Sequence, residues 1–326
     1  PAFNLKAFFE NHEVFGNLEK WRVFHMKTTG IIGLGDMGSG LARNLIKNGF
    51  KTFGLDLSSE RMAAFAAMGG CPAKTTKEIG ATCHAVFVMV MNGDQAKSVI
   101  LGGDSLVSHM DTGEAVILAA TIKPSEVKEI ADAMHGSGIY LIDAPVSGGF
   151  FRAQNGFLIM MAAASDNFLN EFQLVMEAIS GKIHRIGEVG GDGQTMKACL
   201  QTIIGSIFYA TFEAATLAAK AGVSGENLHK VVSTSGAGCA AVNTALENII
   251  DRKLEGTGSH ISTMYKNLKI ALNLAKKLEV PMQIASSAMQ IFHAGKSKYP
   301  QCDNWACARV IEKIVGVELH RIGPQL

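Results

Sequence analysis

A short glycine-rich turn between an apolar segment and a helical segment constrains the fold of this chain more than any other feature. The apolar segment begins at Thr28 and reads TTGIIGLG, and the turn consists of Gly33-Leu34-Gly35-Asp36-Met37-Gly38. A helical pattern, MGSGLARNLIKNG, follows the turn, and a second apolar run, FKTFGLDL, follows the helix. A strand, a turn, a helix and another strand in this order indicate a βαβ unit with parallel strands.

Apolar strands continue to alternate with helical stretches up to about residue 190. The further strand candidates lie at 84–91, 114–121, 139–146 and 157–164. Nearly continuous apolar strands of this kind are typical of a parallel sheet that helices cover on both faces. Residues 28–190 are therefore predicted to form a doubly wound, Rossmann-type α/β domain.

Beyond residue 190 the pattern becomes helical. The predicted helices lie at 193–221, 225–235, 238–252, 259–279, 281–295 and 303–315. The first is unusually long and is followed by Gly222, a common helix stop. We expect it to join the sheet domain to an all-α C-terminal domain, residues 191–326. Ligands of open α/β sheets bind beyond the carboxyl ends of the strands, so the active site is expected between this helix and the sheet.

Charge and cysteine content exclude several classes of protein. Thirty Lys and Arg residues stand against 29 Asp and Glu residues, so no excess of positive charge favours nucleic acid or a membrane surface. No uninterrupted apolar run is expected to reach the roughly 18 residues that span a bilayer. The six cysteines form no CxxC pair and are interpreted as reduced thiols of a cytoplasmic protein.

Residues 1–27 precede the first strand pattern and contain acidic residues but no apolar signal core. We interpret them as an extension outside the fold. The extension is either upstream sequence or a segment that packs against a partner.

The glycine turn has the pattern of a dinucleotide site. Gly33 permits the tight turn, Gly35 lets a pyrophosphate approach the backbone, and Gly38 lets helix and strand pack closely. Leu34, Asp36 and Met37 complete the predicted cofactor-binding turn, whose helix N-terminus holds the phosphates.

An acidic residue after the second strand bears on the choice of cofactor. Asp56 lies where a carboxylate accepts hydrogen bonds from the adenosine ribose and repels a 2′-phosphate. NAD is therefore favoured, while the nearby Lys51 and Arg61 leave NADP open. The chain shows no second dinucleotide motif of the kind that a flavin enzyme would carry.

Several motifs together resemble the β-hydroxyacid dehydrogenase family. They are GLGDMG, MNGDQ, DAPVSGG from Asp143 to Gly149 within APVSGGFFRAQNG, GKIHRIG, and a lysine inside the long helix. The likeness covers about residues 28–318. It implies a fold like that of 6-phosphogluconate dehydrogenase and hydride transfer between a nicotinamide cofactor and a small hydroxy acid. The implied substrate is L-threonate or a similar sugar acid.

The resemblance assigns the central role to Lys197. It implies that this lysine is the general base in oxidation and the general acid in reduction, that hydride passes directly between substrate and nicotinamide, and that no metal takes part. A partly dry cleft and a cationic nicotinamide would both lower the pKa of the lysine. The alternative interpretation is an ordinary lysine on the exposed surface of a helix.

The resemblance also implies binding residues. It assigns Ser147, Gly148 and Gly149 to the substrate, although Ser-Gly-Gly alone is also a common loop sequence. It assigns Thr121 and Lys266 to the cofactor, and Asn92 lies where the nicotinamide ribose would pass. The sequence around these last three residues is equally compatible with ordinary surface polarity.

Some positions depart from the family pattern. Many relatives carry Asn three residues after the catalytic lysine, where this chain has Leu200 followed by Gln201. Positions three and four residues along a helix lie near the same face, so Gln201 is predicted to supply a displaced substrate-binding amide. Ala120 and Asn267 stand where Ser and Asp are common. Substrate identity is the property that these changes affect most.

Three functions remain open at this point. The first is an NAD-dependent hydroxyacid dehydrogenase, and the second is an NADPH-dependent reductase of glyoxylate or short semialdehydes. The third is a cofactor-binding protein that has lost turnover. The resemblance implies a homodimer or a homotetramer, because helical second domains of this family usually pair with another subunit, and the apolar helices here leave room for such a contact.

Overall fold

A computed structural model describes residues 28–322. The predicted extension at 1–27 lies outside the described residues. The chain divides into two compact units, of which the first ends at Lys197 and the second begins at Ala198.

The first unit is built on a mostly parallel sheet. Its strands are β1 (Thr28–Ile32), β2 (Lys51–Leu55), β3 (Cys71–Pro72), β4 (Ala85–Val88), β5 (Ala115–Leu118), β6 (Tyr140–Asp143), β7 (Val146–Ser147), β8 (Leu158–Ala163) and β9 (Ser180–Gly187). The strand order is β3-β2-β1-β4-β5-β6-β8-β7, and β9 pairs with β8. Since β1 pairs in parallel with both β2 and β4, the strand order reverses there, which is where such sheets bind ligands.

The last part of the sheet differs from the prediction in two ways. Strand β8 runs antiparallel to β6 and β7. The link between β7 and β8, residues 148–157, is shorter than the dozen or so residues of a parallel crossover, which explains the direction of β8 relative to β7. Strand β9, which pairs in parallel with β8, was not predicted. Most of its residues are exposed or half-buried, so it carries no apolar run that would indicate a strand.

Helices lie between the strands of the first unit. They are α1 (Asp36–Lys47), α2 (Ser59–Ala67), α3 (Thr76–Gly80), α4 (Gly93–Leu101), α5 (Pro124–Ala133), α6 (Gly149–Asn155), α7 (Asp166–Glu171) and α8 (Gln173–Glu177). Successive side chains of a strand point to opposite faces of a sheet. Phe87 accordingly belongs to one buried cluster, whereas its neighbours Val86 and Val88 belong to another. The sheet therefore has an apolar core on each face, as predicted.

The second unit is helical in its described part, as predicted. Helix α9 (Asp192–Lys220) begins in the first unit, and α10 (Gly225–Thr234), α11 (Ala240–Ile250), α12 (Ile261–Lys277), α13 (Gln283–Lys298), a 3-10 turn (Asn304–Cys307) and α14 (Ala308–Val315) follow. Its core is aromatic at the centre, where Phe208 packs edge-on against Trp305 and Phe212 packs edge-on against Phe292.

The expectation that no apolar segment is long enough to span a bilayer was wrong for helix α9. Among the described helices it is long and apolar enough to cross a membrane, judged by length and composition alone. Counting uninterrupted runs missed it because scattered polar residues divide the helix. Phe208, Phe212 and Ala215 are buried in the core of the second unit, so packing within the protein accounts for part of its apolar character.

Candidate active site

The glycine turn has the backbone geometry that the sequence predicts. Gly33 has φ +94°, and a Cβ there would lie 2.3 Å from the Met89 carbonyl oxygen. A Cβ on Gly38 would lie 1.8 Å from the Gly33 carbonyl oxygen. Both positions therefore exclude every larger residue, and the close packing of α1 on β1 depends on them.

The middle glycine of the turn faces open space. A Cβ on Gly35 would meet only the Arg61 side chain, at 3.9 Å. Helix α1 begins at Asp36, the next residue, so the first backbone N–H groups of the helix lie beside this gap. A pyrophosphate fits such a gap, because it needs backbone donors and room without a side chain. Leu34 and Gly35, with Arg61 and Phe65 of α2, line a pocket at this point.

Asp56 follows β2 and is held firmly in place. Its Oδ2 accepts a hydrogen bond from the backbone N–H of Leu34 at 2.7 Å, and its Oδ1 accepts one from the backbone N–H of Ser58 at 2.8 Å. The half-exposed guanidinium of Arg61 lies 3.6 Å from Oδ2. The carboxylate thus sits beside the glycine turn, where the ribose of a bound dinucleotide is expected, and a cation adjoins it.

Asn92 and Thr121 follow adjacent parallel strands, β4 and β5. Asn92 is the N-cap of α4, where its Oδ1 accepts a hydrogen bond from the backbone N–H of Gln95 at 2.9 Å. Thr121 is half-buried. Both lie near the carboxyl end of the sheet, and the capping role of Asn92 accounts for part of its polarity.

The Ser147-Gly148-Gly149 segment joins β7 to α6. Gly148 has φ +145° and Gly149 has φ +70°, backbone conformations that favour glycine. A Cβ on Gly149 would meet nothing within 4 Å, so the backbone is open on that side. Ser147 is half-buried at the end of its strand. The segment therefore has the accessible backbone that the predicted substrate role requires.

Lys197 lies in the second turn of α9 and is buried, with a relative exposure of 5%. Burial of this lysine argues against an ordinary surface lysine, because lysines are almost never fully buried without a specific reason.

Two buried polar residues without a predicted role, Asp143 and Gln194, meet at the start of α9, the helix that carries Lys197. The Oδ2 of Asp143, at the end of β6, accepts hydrogen bonds from the backbone N–H groups of Gly191 at 2.9 Å and Gln194 at 3.2 Å. The Gln194 amide Nε2 donates to Asp143 Oδ1 at 2.9 Å. Burial raises the pKa of Asp143 to about 6, although these hydrogen bonds act in the opposite direction.

The other contacts of Gln194 reach the segment around Thr121. Its Nε2 also donates to the Ala120 carbonyl oxygen at 3.0 Å, and its Oε1 accepts from the backbone N–H of Ile122 at 3.1 Å. A polar side chain in the first turn of an apolar helix was the only sequence signal for this network.

The remaining predicted residues lie in the second unit. Gln201 on α9 and Asn267 on α12 are both buried, and the Asn267 Nδ2 donates to the Gln201 Oε1 at 3.0 Å. Lys266, next to Asn267, is half-buried. Two positions that depart from the family pattern thus form one buried pair of amides, which sequence spacing alone did not indicate.

Each of the two units contains a region that matches a known protein family. Residues 28–187 match the family described as the NAD binding domain of 6-phosphogluconate dehydrogenase. Residues 191–311 match the family described as NAD-binding of NADP-dependent 3-hydroxyisobutyrate dehydrogenase.

Similar proteins cover nearly the same part of the chain. L-threonate dehydrogenase of Escherichia coli O6:H1 is 33% identical over 89% of this chain and 96% of its own length. The 2-(hydroxymethyl)glutarate dehydrogenase of Eubacterium barkeri is 28% identical over 89% and 96%. The crystal structure of 3-hydroxyisobutyrate dehydrogenase from Salmonella typhimurium is 29% identical, covers 87% of this chain and 99% of its own, and has a TM-score of 0.79.

The fold, the glycine turn and these matches define a class of enzyme: dehydrogenases that use NAD or NADP and act on the CH–OH group of a hydroxy acid. Within that class, the chain belongs to the β-hydroxyacid dehydrogenase family, which includes the 3-hydroxyisobutyrate and L-threonate dehydrogenases. Its substrate is accordingly a small molecule.

Proposed function

We propose that this chain is an NAD-dependent dehydrogenase that oxidises L-threonate or a similar small sugar acid, with Lys197 as the general base. The buried position of Lys197 is the observation that carries this proposal, because a lysine shielded from water is suited to proton transfer. Relatives that act on L-threonate supply the substrate class.

The proposed reaction divides the work between cofactor and protein. When bound, NAD supplies the hydride acceptor at C4 of its nicotinamide. Lys197, in its neutral form, removes the proton from the substrate hydroxyl while the carbinol carbon loses its hydride, which leaves a carbonyl group. We assign the substrate carboxylate to Ser147, Gly148 and Gly149, and a further substrate contact to Gln201.

The proposed cofactor site uses mainly residues of the first unit. Gly33 to Gly38 hold the pyrophosphate, Asp56 accepts from the adenosine ribose, and Asn92 and Thr121 lie along the nicotinamide half. Lys266 is the remaining proposed contact. In this scheme residues 28–190 bind the dinucleotide and the substrate carboxylate, and residues 191–326 supply the base, a further substrate contact and the subunit contacts.

The second candidate is an NADPH-dependent reductase of glyoxylate or short semialdehydes. Arg61 favours it, because the guanidinium beside Asp56 could instead pair with a 2′-phosphate. A matched family that is described as NADP-dependent adds support. NAD remains our first choice because the Asp56 carboxylate is fixed next to the turn by two backbone donors.

A substrate panel tests both candidates. L-threonate, D-threonate, glycerate and 3-hydroxyisobutyrate are offered with NAD and with NADP, and glyoxylate and succinate semialdehyde are offered with NADH and NADPH. We expect the highest kcat/KM for L-threonate with NAD. Highest activity on an aldehyde with NADPH would establish the second candidate, and no turnover of any acid or aldehyde would contradict both.

We propose that the enzyme forms a homodimer or homotetramer and works in the cytoplasm. Helix α9 exposes apolar side chains, including Met196, Ile203 and Leu217. Exposed apolar side chains along one helix are typical of subunit contacts. Light scattering measures the mass directly, and a monomer at micromolar concentration would contradict the proposed assembly.

A further inference from the structure

We infer that Gln194 is a positioning residue for catalysis: it holds the first turn of α9, and with it Lys197, in register with the segment that carries Thr121. The inference rests on the proposed role of Lys197 as general base. No substrate or cofactor contact is assigned to Gln194 itself.

Both the oxygen and the nitrogen of the Gln194 side-chain amide form hydrogen bonds. Its Oε1 accepts from the Ile122 backbone, and its Nε2 donates to the Ala120 carbonyl oxygen and to Asp143 Oδ1. With a relative exposure of 1%, the side chain makes these bonds in a site shielded from water. One side chain therefore joins the ends of β5 and β6 to the start of α9.

Backbone packing fixes the same helix end. A Cβ on Gly193 would lie 2.5 Å from the Met161 carbonyl oxygen and 2.9 Å from that of Asp143, so the helix starts directly against the strand ends. The side chain of Gln194 adds directional hydrogen bonds to this contact. Lys197 lies three residues further, about one helical turn along α9.

Thr121 lies between the two residues whose backbone groups Gln194 holds. Thr121 is a proposed cofactor contact, and Lys197 is the proposed base of the same reaction. The Gln194 amide therefore fixes the position of one relative to the other. A general base must lie within hydrogen-bond reach of the proton that it removes, and displacement by about 1 Å can lower the rate about 100-fold. A small shift of this amide is therefore expected to change kcat more than cofactor binding.

The substitution Gln194→Glu tests the inference with little change in shape. Near neutral pH the new carboxylate cannot donate to Ala120 or Asp143, and it repels the Asp143 carboxylate. A proton shared by the two carboxyl groups restores one donor. We expect kcat to fall by about tenfold or more at roughly pH 8, and the ratio of variant to unaltered kcat to rise as the pH is lowered toward about 6. The dissociation constant for NADH should stay within about twofold of the unaltered value.

Thr195→Val is the matched control. Thr195 lies in the same helical turn, but its hydroxyl donates only within the local segment, to the Gly191 carbonyl oxygen at 2.8 Å. We expect this variant to keep its kcat and its pH profile. Gln194→Met is the second test variant; it is expected to lower kcat without recovery at acid pH, since methionine has no proton to gain.

The outcomes separate this inference from the proposed function. If Lys197→Met is inactive but Gln194→Glu keeps the unaltered kcat at every pH, the positioning role is wrong and the proposed function stands. If Lys197→Met stays active, or no substrate in the panel is turned over, the proposed function fails and the inference fails with it. Parallel loss of kcat and NADH binding, or failure of both Gln194 variants to fold, would show a purely structural role.

Discussion

At the residue scale, Lys197 is unusual because it combines a charged group with burial. Taking an ammonium group out of water is unfavourable, so a protein retains a buried lysine only where other interactions offset that cost. The proposed proton transfer gives such a reason. Asp56 is half-buried, with its side chain shielded beside its backbone donors, and it lies next to the exposed end of Arg61. These two residues allow separate tests of the chemistry and of cofactor choice.

We predict that Lys197→Ala lowers kcat by about 100-fold or more while the dissociation constant for NADH changes little, because only the proton transfer is removed. Lys197→Met, which keeps most of the side-chain volume, should behave in the same way. Stopped-flow turnover and NADH fluorescence titration measure the two quantities. Lys128→Ala, at an exposed position on α5, is the control. Equal losses of turnover and NADH binding would refute the assigned role.

We predict that Asp56→Asn weakens NAD binding more than NADP binding, because it replaces one acceptor oxygen of the carboxylate by an NH2 group and removes the charge that repels a 2′-phosphate. Loss of a hydrogen bond to a charged group is expected to raise the NAD dissociation constant about tenfold. Arg61→Gln should have the opposite selectivity and weaken NADP more than NAD. Titration of each variant with both cofactors measures the ratio. An unchanged ratio in Asp56→Asn would exclude Asp56 from cofactor choice.

At the scale of elements, buried hydrogen bonds from Asp143 and Gln194 hold the first turn of α9 in place. Asp143 accepts two backbone N–H groups near the helix start, which satisfies donors that have no partner inside the helix. A carboxylate at a helix N-terminus is also favoured by the helix dipole. Burial opposes both effects and raises the pKa of Asp143 to about 6. The carboxylate therefore makes the fold sensitive to pH.

The sign of that dependence follows from proton binding. Between about pH 4 and pH 6 the folded chain keeps a proton on Asp143 that the unfolded chain has lost, so the free energy of unfolding falls as pH rises through this range. We predict a loss of about 3 kcal/mol from this one group, complete above its folded pKa. Asp143→Asn cannot titrate, and its free energy of unfolding should fall less over the same range. Urea unfolding of both chains from pH 4 to pH 7.5 measures the difference. The same slope in both would show that another group titrates.

At the scale of the whole molecule, the chain is built from two units with separate apolar cores. The first unit has a core on each face of its sheet, and the second is centred on the aromatic cluster of Phe208 and Trp305. A ligand that binds only the folded chain stabilises it by mass action. The cofactor is therefore expected to stabilise the molecule through the first unit, where the glycine turn lies.

We predict that NADH at about 100 times its dissociation constant raises the free energy of unfolding by about 2.7 kcal/mol. Gly35→Val should abolish this gain without lowering the stability of the cofactor-free chain. Gly35 has an ordinary φ of −65°, and a Cβ there meets no atom closer than 3.9 Å, so the new side chain occupies only the space proposed for the pyrophosphate. Thermal unfolding with and without NADH measures both effects. Full stabilisation of Gly35→Val by NADH would place the phosphates elsewhere.

The amino-acid sequence by itself determined the features that depend on near neighbours in the chain. The glycine turn requires residues without a Cβ at Gly33 and Gly38, and apolar periodicity defines the strands and the long helix α9. Local patterns of this kind predicted the Rossmann-type sheet, the helical second unit and the general position of the glycine turn.

Only the tertiary structure decided which distant residues meet. The bond from Ile122 to Gln194 joins residues 72 positions apart, and the bond from Leu34 to Asp56 joins residues 22 apart. The burial of Lys197 and the antiparallel direction of β8 likewise depend on how the elements pack. Hydrogen bonding and burial act on residues that are close in space, and sequence periodicity contains no information about distance between separate elements.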